Sequence, residues 1–591
     1  MAYNSYKEDE ESYDIGKTKI MLRLFSYMLP YKKNIVAVLL LMAYGVFVSI
    51  LNPLIIERAL DVNIANADWE GLFKLIAFAI LINGIMVLAV KLRMFLMSKI
   101  SNKMIMEIRQ ELYEHIQKLD FTFFDSRPTG KILSRITGDV NNLKSILENS
   151  ITTLIPEFVT IVTVVAIMFT KNARLASAAL CSIPLMAILL WFIESKSHKL
   201  WQIRKKKSSN LNAYIHEDLS GMRVVQAFNA EEETNAEFAK LLKEDRKSFM
   251  DAVLYADGFA SAIDFCWGLG MIALYFVGIK VLGVHSVSVG TYIAFGTYIG
   301  MFWQPIMNLS NFYNQMITNL ASAERIFEVL DSEPEICDGE KALTLPDIKG
   351  KVEFNDVSFS YNNENQVLSH VSFCVKPGET IALVGPTGAG KTTIVNLVSR
   401  FYNATEGKIL IDDFDVQNVT ISSLRSQMGV MTQDTYLFSG TIKENIRYGK
   451  LDASDEEIKE AAKAVHANEF IEKLPNGYDT VLTERGGGLS NGQKQLIAFA
   501  RTMLSMPKIL VLDEATSSID TQTELVLQEG IKTLLKGRTS FVIAHRLSTI
   551  KNADRIFFID KAKIVEEGNS ESLMAKKGEY YKLYMSQFAQ S

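Results

Sequence analysis

Residues 35–56 carry no Asp, Glu, Lys or Arg. In hydrocarbon a backbone must satisfy its own N–H and C=O groups, so an uncharged apolar stretch of about 20 residues is constrained to a membrane-crossing helix. Further long runs occupy 75–90, 151–170, 175–193, 252–279 and 286–323, interrupted only by Glu157, Asp257 and Asp264. Six spans are therefore predicted. Lys32 and Lys33 precede the first, and Lys196, Lys199, Arg204, Lys205, Lys206 and Lys207 follow the fourth, whereas 57–70 is net acidic. Basic loops stay cytoplasmic, which predicts a multi-pass plasma-membrane protein with both termini in the cytoplasm. The acidic start, Lys7-Glu8-Asp9-Glu10-Glu11, has none of the apolar character of a signal peptide.

The connections alternate in length. Residues 171–174 form a short outer loop, while 91–150 and 194–251 are long, poor in Gly and Pro, and apolar at spacings of three and four. They read as helical extensions of the spans into the cytoplasm. The overall apolar fraction of 48% and mean hydropathy of +0.11 are what two unlike halves average to. A net charge of −5 offers no basic surplus for a nucleic-acid partner. Cys181, Cys266, Cys337 and Cys374 lack the spacing of a metal site or a disulfide framework.

After 324–345, a polar stretch with Pro334 and Gly339, the pattern changes to short alternating strands and helices. The expected domains are a cytoplasmic segment 1–33, a six-helix membrane domain 34–323, a linker 324–350 and an α/β nucleotide-binding domain 351–591. Within the last, Gly385-Pro386-Thr387-Gly388-Ala389-Gly390-Lys391-Thr392 fits G-x-x-x-x-G-K-[ST] between a buried-strand run, 380–384, and an apolar helix. Backbone N–H groups of such a loop, together with Thr393 at the helix start, surround phosphates. Lys391 reaches the β and γ oxygens, and the Thr392 hydroxyl suits Mg²⁺. Ile509-Leu510-Val511-Leu512 is a second buried strand ending in Asp513 and Glu514. Asp513 is placed to orient Mg²⁺ through its waters, and Glu514 to polarise an attacking water. MgATP is the implied ligand.

Leu489-Ser490-Asn491-Gly492-Gln493 then resembles the signature motif of ATP-binding cassette (ABC) proteins. The resemblance implies the remaining roles. Tyr361 would stack on adenine, Gln433 would contact the γ-phosphate and Mg²⁺, residues 517–520 would form the D-loop, and His545 would be the switch histidine. Ser490, Asn491, Gly492 and Gln493 would complete a nucleotide site. The first half is similar to the ABC exporter membrane domain, through Phe123-Phe124-Asp125, Pro128, Gly130, Ser134-Arg135 and Asp139, and through residues 221–228. Fold class is thus an α-helical six-span membrane domain followed by a cytoplasmic α/β P-loop domain, the type IV ABC exporter architecture. The implied activity is an ATPase coupled to efflux of amphipathic molecules such as drugs or lipids. A peptide exporter or a lipid flippase stands as the alternative, and an ATP-gated channel has no mark in the sequence. The stretch before residue 35 has neither Cys nor His, so a cargo-processing peptidase is not expected there.

In that family the signature motif faces the phosphate loop of a second domain, so one chain implies a dimer of half-transporters. Asn491 stands where the family usually has Gly, and Thr483 replaces another Gly, while Glu514 and His545 are present. This combination resembles the catalytically intact subunit of heterodimeric multidrug exporters, and a heterodimer is favoured over a homodimer. Short cytoplasmic helices are expected near 121–125, touching the Gln433 region, and near 213–217. Membrane lipid and a small amphipathic substrate are the other expected partners. Glu157, Asp257 and above all Asp264 are candidate substrate-facing acids, because charge in lipid is costly.

Overall fold

The computed structural model describes residues 16–283, 286–339, 341–361, 366–432, 435–513, 521–544 and 550–588. It divides into two compact units, one built from Ser5–Gln117 and Thr129–Asp331, the other from Lys118–Pro128 and Ser332–Ser591.

The first unit is helical throughout. Asp68 caps the helix Trp69–Ile116, accepting from Gly71 N at 2.9 Å. At 48 residues this helix is about 72 Å long, more than twice the hydrocarbon thickness of a bilayer. Its two ends bury differently. Ala89 is the first buried residue, after which Met97, Ile100, Met104, Ile108, Leu112 and Ile116 form a stripe spaced three and four. A lipid-facing part that is apolar all round thus continues into an amphipathic part packed on protein, as expected for a span with a cytoplasmic extension. The helix Ile183–Ser220, 38 residues long, also outruns a bilayer core, but it buries only Met186, Ser197 and Leu211. It runs without a break through 213–217, where a separate short helix was expected, because nothing interrupts it before Gly221. The short helix is Met222–Ala227 instead.

Five helical stretches are long and apolar enough to cross a membrane among the described residues: Leu29–Ile64, Trp69–Ile116, Thr129–Lys171, Ala173–Ser220 and Glu231–Val281. The sixth expected span lies in Val289–Leu330, a single helix of 42 residues with Pro305 inside it. It is uncharged as far as Ala323, but it is rich in Gly, Tyr, Asn and Gln, so lack of charge there does not amount to the hydropathy of the other five. Its N-terminus is fixed by the Asp61 carboxylate, which accepts from Gly290 N at 2.8 Å and from the Ser288 hydroxyl. A carboxylate at a helix N-terminus complements the helix dipole. Glycine is required at 290, where a Cβ would lie 2.6 Å from Asp61 Oδ2 and 2.7 Å from Glu57 O. Midway along, Asn308 donates to Glu157 at 2.5 Å, and Tyr298 donates to Ile50 O at 3.0 Å. Near its C-terminal end Arg325 grips Asp139, Arg135 pairs with Glu328 at 3.5 Å, and Arg23 of the helix Lys17–Ser26 bonds Asp331 at 2.7 Å.

The second unit is built on strands. β1 (Val352–Ser360), β2 (Gln366–Val375), β4 (Glu406–Ile411) and β5 (Phe414–Asp415) form an antiparallel sheet in the order β2-β1-β4-β5. β3 (Thr380–Val384), β6 (Met428–Met431), β9 (Ile509–Asp513), β10 (Thr539–Ile543), β11 (Arg555–Asp560) and β12 (Lys563–Gly568) form a second sheet, β12-β11-β3-β10-β9-β6, parallel except for β12. β7 (Gly440–Thr441) and β8 (Val481–Leu482) pair antiparallel as a small separate ribbon. The parallel strands of the second sheet read as near-continuous apolar runs because both faces are covered. Alternate residues feed two cores. Ala382, Val384, Leu510, Leu512 and Val542 enter one, and Ile381, Leu383, Ile509, Val511 and Phe541 enter the other.

Residues 332–350 lie along this unit rather than free of it. Leu345 and Ile348 are buried, at 4% and 3% exposure, and their N–H groups donate to Ser423 and Gln427. Asp412 accepts from the N–H groups of Lys349, Gly350 and Lys351. Buried Arg400 donates to three carbonyls, Val419 O at 2.6 Å, Cys337 O at 3.1 Å and Gln417 O at 3.3 Å. Replacing Arg400 with Met keeps most of the bulk and strands those acceptors. Arg400→Met is expected to destabilise this unit by about 2–3 kcal/mol, read as a fall of about 5 °C or more in its thermal transition. An unchanged midpoint would show that water replaces the guanidinium without loss.

Candidate nucleotide-binding site

The turn from β3 into the helix Lys391–Val398 uses glycines for two different reasons. Gly385 has φ +151°, and a Cβ there would lie 2.1 Å from Ile559 O. Gly390 has φ +105°, and its Cβ would meet Val367 O at 2.9 Å. At Gly388, φ +82°, a Cβ would meet nothing within 4 Å. Glycine at 385 and 390 lets the loop lie against β11 and β2, whereas at 388 it keeps the space above the loop open. Pro386, Thr387 and Gly388 form an exposed rim, Ala389 and Gly390 are buried beneath it, and Ala389 N donates to Pro386 O at 3.2 Å.

Lys391 is buried, at 8% exposure, and its ammonium donates to Gly385 O and Pro386 O, both at 2.8 Å. Burial pulls its pKa down, and the Asp513 carboxylate pushes it back up. Asp513 owes that influence to sheet register. Ile543 of β10 pairs with Leu383 of β3 on one side and with Asp513 of β9 on the other. The carboxylate therefore stands level with the mouth of the phosphate loop, about 10 Å across the carboxyl edge of the sheet. Thr392 is exposed and Thr393 is buried. The result is an anion cradle of backbone N–H groups and one ammonium, flanked by a hydroxyl and a carboxylate. Those two oxygen donors are the hard ligands that Mg²⁺ takes when phosphate supplies the rest. Among the described residues no cluster of three His, Cys, Asp or Glu could hold a metal by itself.

Tyr361 is brought to this loop. Its hydroxyl lies 3.2 Å from Thr393 Oγ1, its ring stands edge-on to Phe359 and Tyr402 at 4.7 Å and 5.0 Å, and it stays 41% exposed. Tyr402, 9% exposed, donates its hydroxyl to Asp125. Burial, and then the Asp125 carboxylate, raise the Tyr402 pKa, so the phenol keeps its proton. Asp125 belongs to the short helix Phe121–Ser126, capped by Asp120, which accepts from Phe123 N at 3.2 Å and from Glu335 N at 2.6 Å. Phe121 packs on Phe401 at 4.6 Å, and Arg425 lies over the far ring at 4.8 Å. The sequence led to the expectation that this helix touches the Gln433 region, and Gln433 lies outside the described residues. Among the described residues its contacts are with Phe401 and Tyr402. Their signal was present as two aromatics directly after the phosphate-loop helix and buried Arg400, but nothing local said what they would touch.

Ser490 caps the helix Asn491–Ser505. Its hydroxyl accepts from Gln493 N at 3.3 Å, and the Gln493 side chain accepts from Ser490 N at 3.0 Å. Asn491 is exposed as the first helical residue, and Gly492 is buried. Leu496, Ile497 and Phe499 pack into the core with Leu510 and Leu512, whereas Ile394, Val395 and Leu397 of the phosphate-loop helix pack with Ile509 and Val511. The two helices lie on opposite faces of one sheet, so Ser490 is not brought to Lys391. Gln433, Glu514, residues 517–520 and His545 lie outside the described residues.

Two family models match the chain, the ABC transporter transmembrane region over residues 35–306 and the ABC transporter model over 368–517. An ABC transporter ATP-binding protein of Bacillus subtilis is 41% identical over 574 residues, covering 96% of this chain and 94% of that protein. The ATP-dependent lipid A-core flippase of Syntrophus aciditrophicus is 40% identical over 493 residues, covering 83% and 82%. Among solved structures, a bacterial Atm1-family ABC exporter with ATP bound superposes with a TM-score of 0.78 at 28% identity, over 94% of this chain and 98% of that one.

The two kinds of loop glycine separate experimentally. Gly385→Ala drives a Cβ into backbone and is expected to cost about 3 kcal/mol or more, lowering the thermal midpoint of the unliganded protein. Gly388→Ala adds only the strain of a positive φ, about 1–2 kcal/mol, and leaves the midpoint within a few degrees. It should nevertheless abolish the upward shift that ATP produces. A normal ATP-dependent shift in Gly388→Ala would mean the open space above the loop is not where phosphate sits.

Proposed function

Because the chain belongs to the ABC transporter family, with membrane and ATP-binding regions fused as in exporter half-transporters, we propose that it works as one half of a dimer that expels amphipathic molecules. ATPase-coupled transport is the family activity. The observation that carries the dimer is the separation of Lys391 and Ser490 by a sheet buried on both faces. One chain cannot close a nucleotide between its own two motifs, whereas a second chain facing it can. Each site then joins one chain's phosphate loop to the other's Ser490, Asn491, Gly492 and Gln493.

Tyr361 stacks on the adenine, the N–H groups of residues 386–393 and Lys391 hold the phosphates, and Gln433 and His545 contact the γ-phosphate. Glu514 accepts a proton from the water whose oxygen bonds the γ-phosphorus, in line with the breaking bond from that phosphorus to the β-phosphate oxygen, so that ADP leaves and inorganic phosphate forms. Thr392, Gln433 and Asp513 would hold Mg²⁺, which would supply positive charge against the triphosphate. Since ATP is cytoplasmic, the nucleotide-binding unit and both termini lie inside and the spans cross the plasma membrane. Tyr402 and Asp125 link the rim of the site to the stretch between the second and third spans, which is the covalent route by which closure on ATP reaches the membrane helices.

Asn491 adds a side chain at the exposed start of the signature helix, where the family's Gly leaves room. Together with Glu514 in this chain it favours a heterodimer in which Lys391 faces an unaltered partner signature and turns over, while the opposite site is slow. A single polypeptide species with two equal hydrolytic sites in the native complex would overturn that assignment. The 40% identity to a lipid A-core flippase supports lipid transport as the second reading.

Glu514→Gln is expected to retain ATP binding and lose at least about 100-fold in ATP turnover of the native complex. Wild-type turnover would remove Glu514 as the base. Tyr402→Phe keeps the ring contacts and deletes the hydroxyl bonded to Asp125. Substrate-stimulated hydrolysis should fall more than basal hydrolysis, and an equal effect on both would show that the hydroxyl does not serve coupling.

A further inference from the structure

The helical unit contains a cavity of about 380 Å³ between the helices Ile183–Ser220, Gly258–Phe276 and Val289–Leu330. Its depth in the bilayer follows from chain geometry. Met307, on its wall, lies 18 residues beyond Val289, about 27 Å along that helix, close to the full thickness of a hydrocarbon core. Glu194, on the facing wall, is the first charged residue after the uncharged run 175–193. Both place the cavity at a membrane–water boundary, midway along Val289–Leu330 and on the side from which the chain continues toward its ATP-binding unit.

The lining sorts ligands by charge. Among the described residues Glu194 makes no hydrogen bond or ion pair. His198, one turn on, has its Nε2 2.9 Å from the Gln202 amide nitrogen, which can only donate. Glu194 is the one acid among the described lining residues. No Lys or Arg lines the cavity. Ser197 and Asn311 supply neutral polar groups, and Phe259 and Met307 supply an apolar wall. Trp201 also lines it, but Arg204 already lies over that indole at 5.0 Å, which leaves Glu194 and the ring of Phe259 as the lining groups that attract a further cation. The volume lies in the range of sites for small organic ligands. A carboxylate beside an aromatic ring and a thioether favours an ammonium on an apolar body, repels an anionic head and gives a neutral one nothing. Asp264, the acid singled out by the sequence, is exposed on Gly258–Phe276 and does not line this cavity.

We propose that this cavity is a loading site for amphipathic amines entering from the cytoplasmic leaflet, with Glu194 as counter-ion to the ammonium. The proposal rests on the exporter reading above and names its substrate class.

The test uses the full-length native complex in lipid nanodiscs, with rhodamine 6G as cationic probe, Nile red as neutral probe and a dansyl-labelled fatty acid as anionic probe, each titrated by fluorescence. Glu194→Gln should weaken rhodamine 6G binding by about ten-fold, the loss of one charge-assisted contact. Glu194→Asp should restore it to within about three-fold of wild type, and Nile red binding should be the same in all three proteins. The proposal is overturned if the wild type does not bind rhodamine 6G, if Glu194→Gln binds it as wild type does, if Nile red is weakened equally, or if the fatty acid is the tightest ligand and tightens further in Glu194→Gln. Wild-type ATP hydrolysis in the same nanodiscs separates the two readings. Hydrolysis without rhodamine binding removes the loading site alone, while absence of hydrolysis removes the exporter reading.

Discussion

The functional unit depends on a parallel sheet that is apolar on both faces. Because successive residues of β3, β9 and β10 point alternately into two cores, every helix that follows a strand must choose a side. The phosphate-loop helix takes one and the signature helix the other. This split would be a defect in an enzyme meant to close its site within one chain. In the dimer proposed above it would be the reason for assembly, since each motif would find its counterpart on the other chain. The same sheet sets the electrostatics, holding Asp513 level with the phosphate loop through the register of β10.

The helical unit obeys a different constraint. A bilayer offers few partners for a stray polar group, and several polar side chains of this unit are paired across helices. Asn52 and Asn83 exchange amide bonds at 3.0 and 3.2 Å, Asn308 reaches Glu157, and Asp61 holds the start of Val289–Leu330. Glu157 is thereby accounted for as an interhelical contact. Glu194, which makes no hydrogen bond or ion pair among the described residues, differs in lining the cavity between three helices.

The second unit also holds a segment from the other half of the chain. The helix Phe121–Ser126 brings Phe121 and Asp125 onto Phe401 and Tyr402, and Tyr402 in turn touches Tyr361, whose hydroxyl meets Thr393. Four residues far apart in sequence thus connect the loop helix to the stretch between two spans. Hydroxyl and edge-on ring contacts respond to small shifts of either neighbour, which suits them to report on the site more than to hold it rigid.

Where chemistry is written in adjacent residues, the sequence was enough. Long uncharged runs specify helices because the bilayer leaves the backbone no other choice, and G-x-x-x-x-G-K-T between a strand and a helix specifies its loop because the glycine conformations are local. The local rules failed where they stood in for packing. Absence of charge overstated the apolarity of 286–323, and the polar look of 332–350 hid the burial of Leu345 and Ile348. Which face of the sheet carries Ser490, what Tyr402 bonds, and which acid is left without a partner depend on contacts across many tens of residues. Spacing along the chain says which side chains exist and how often they recur. Only the packed structure decides which of them meet, because burial on a shared face is a property of two elements at once.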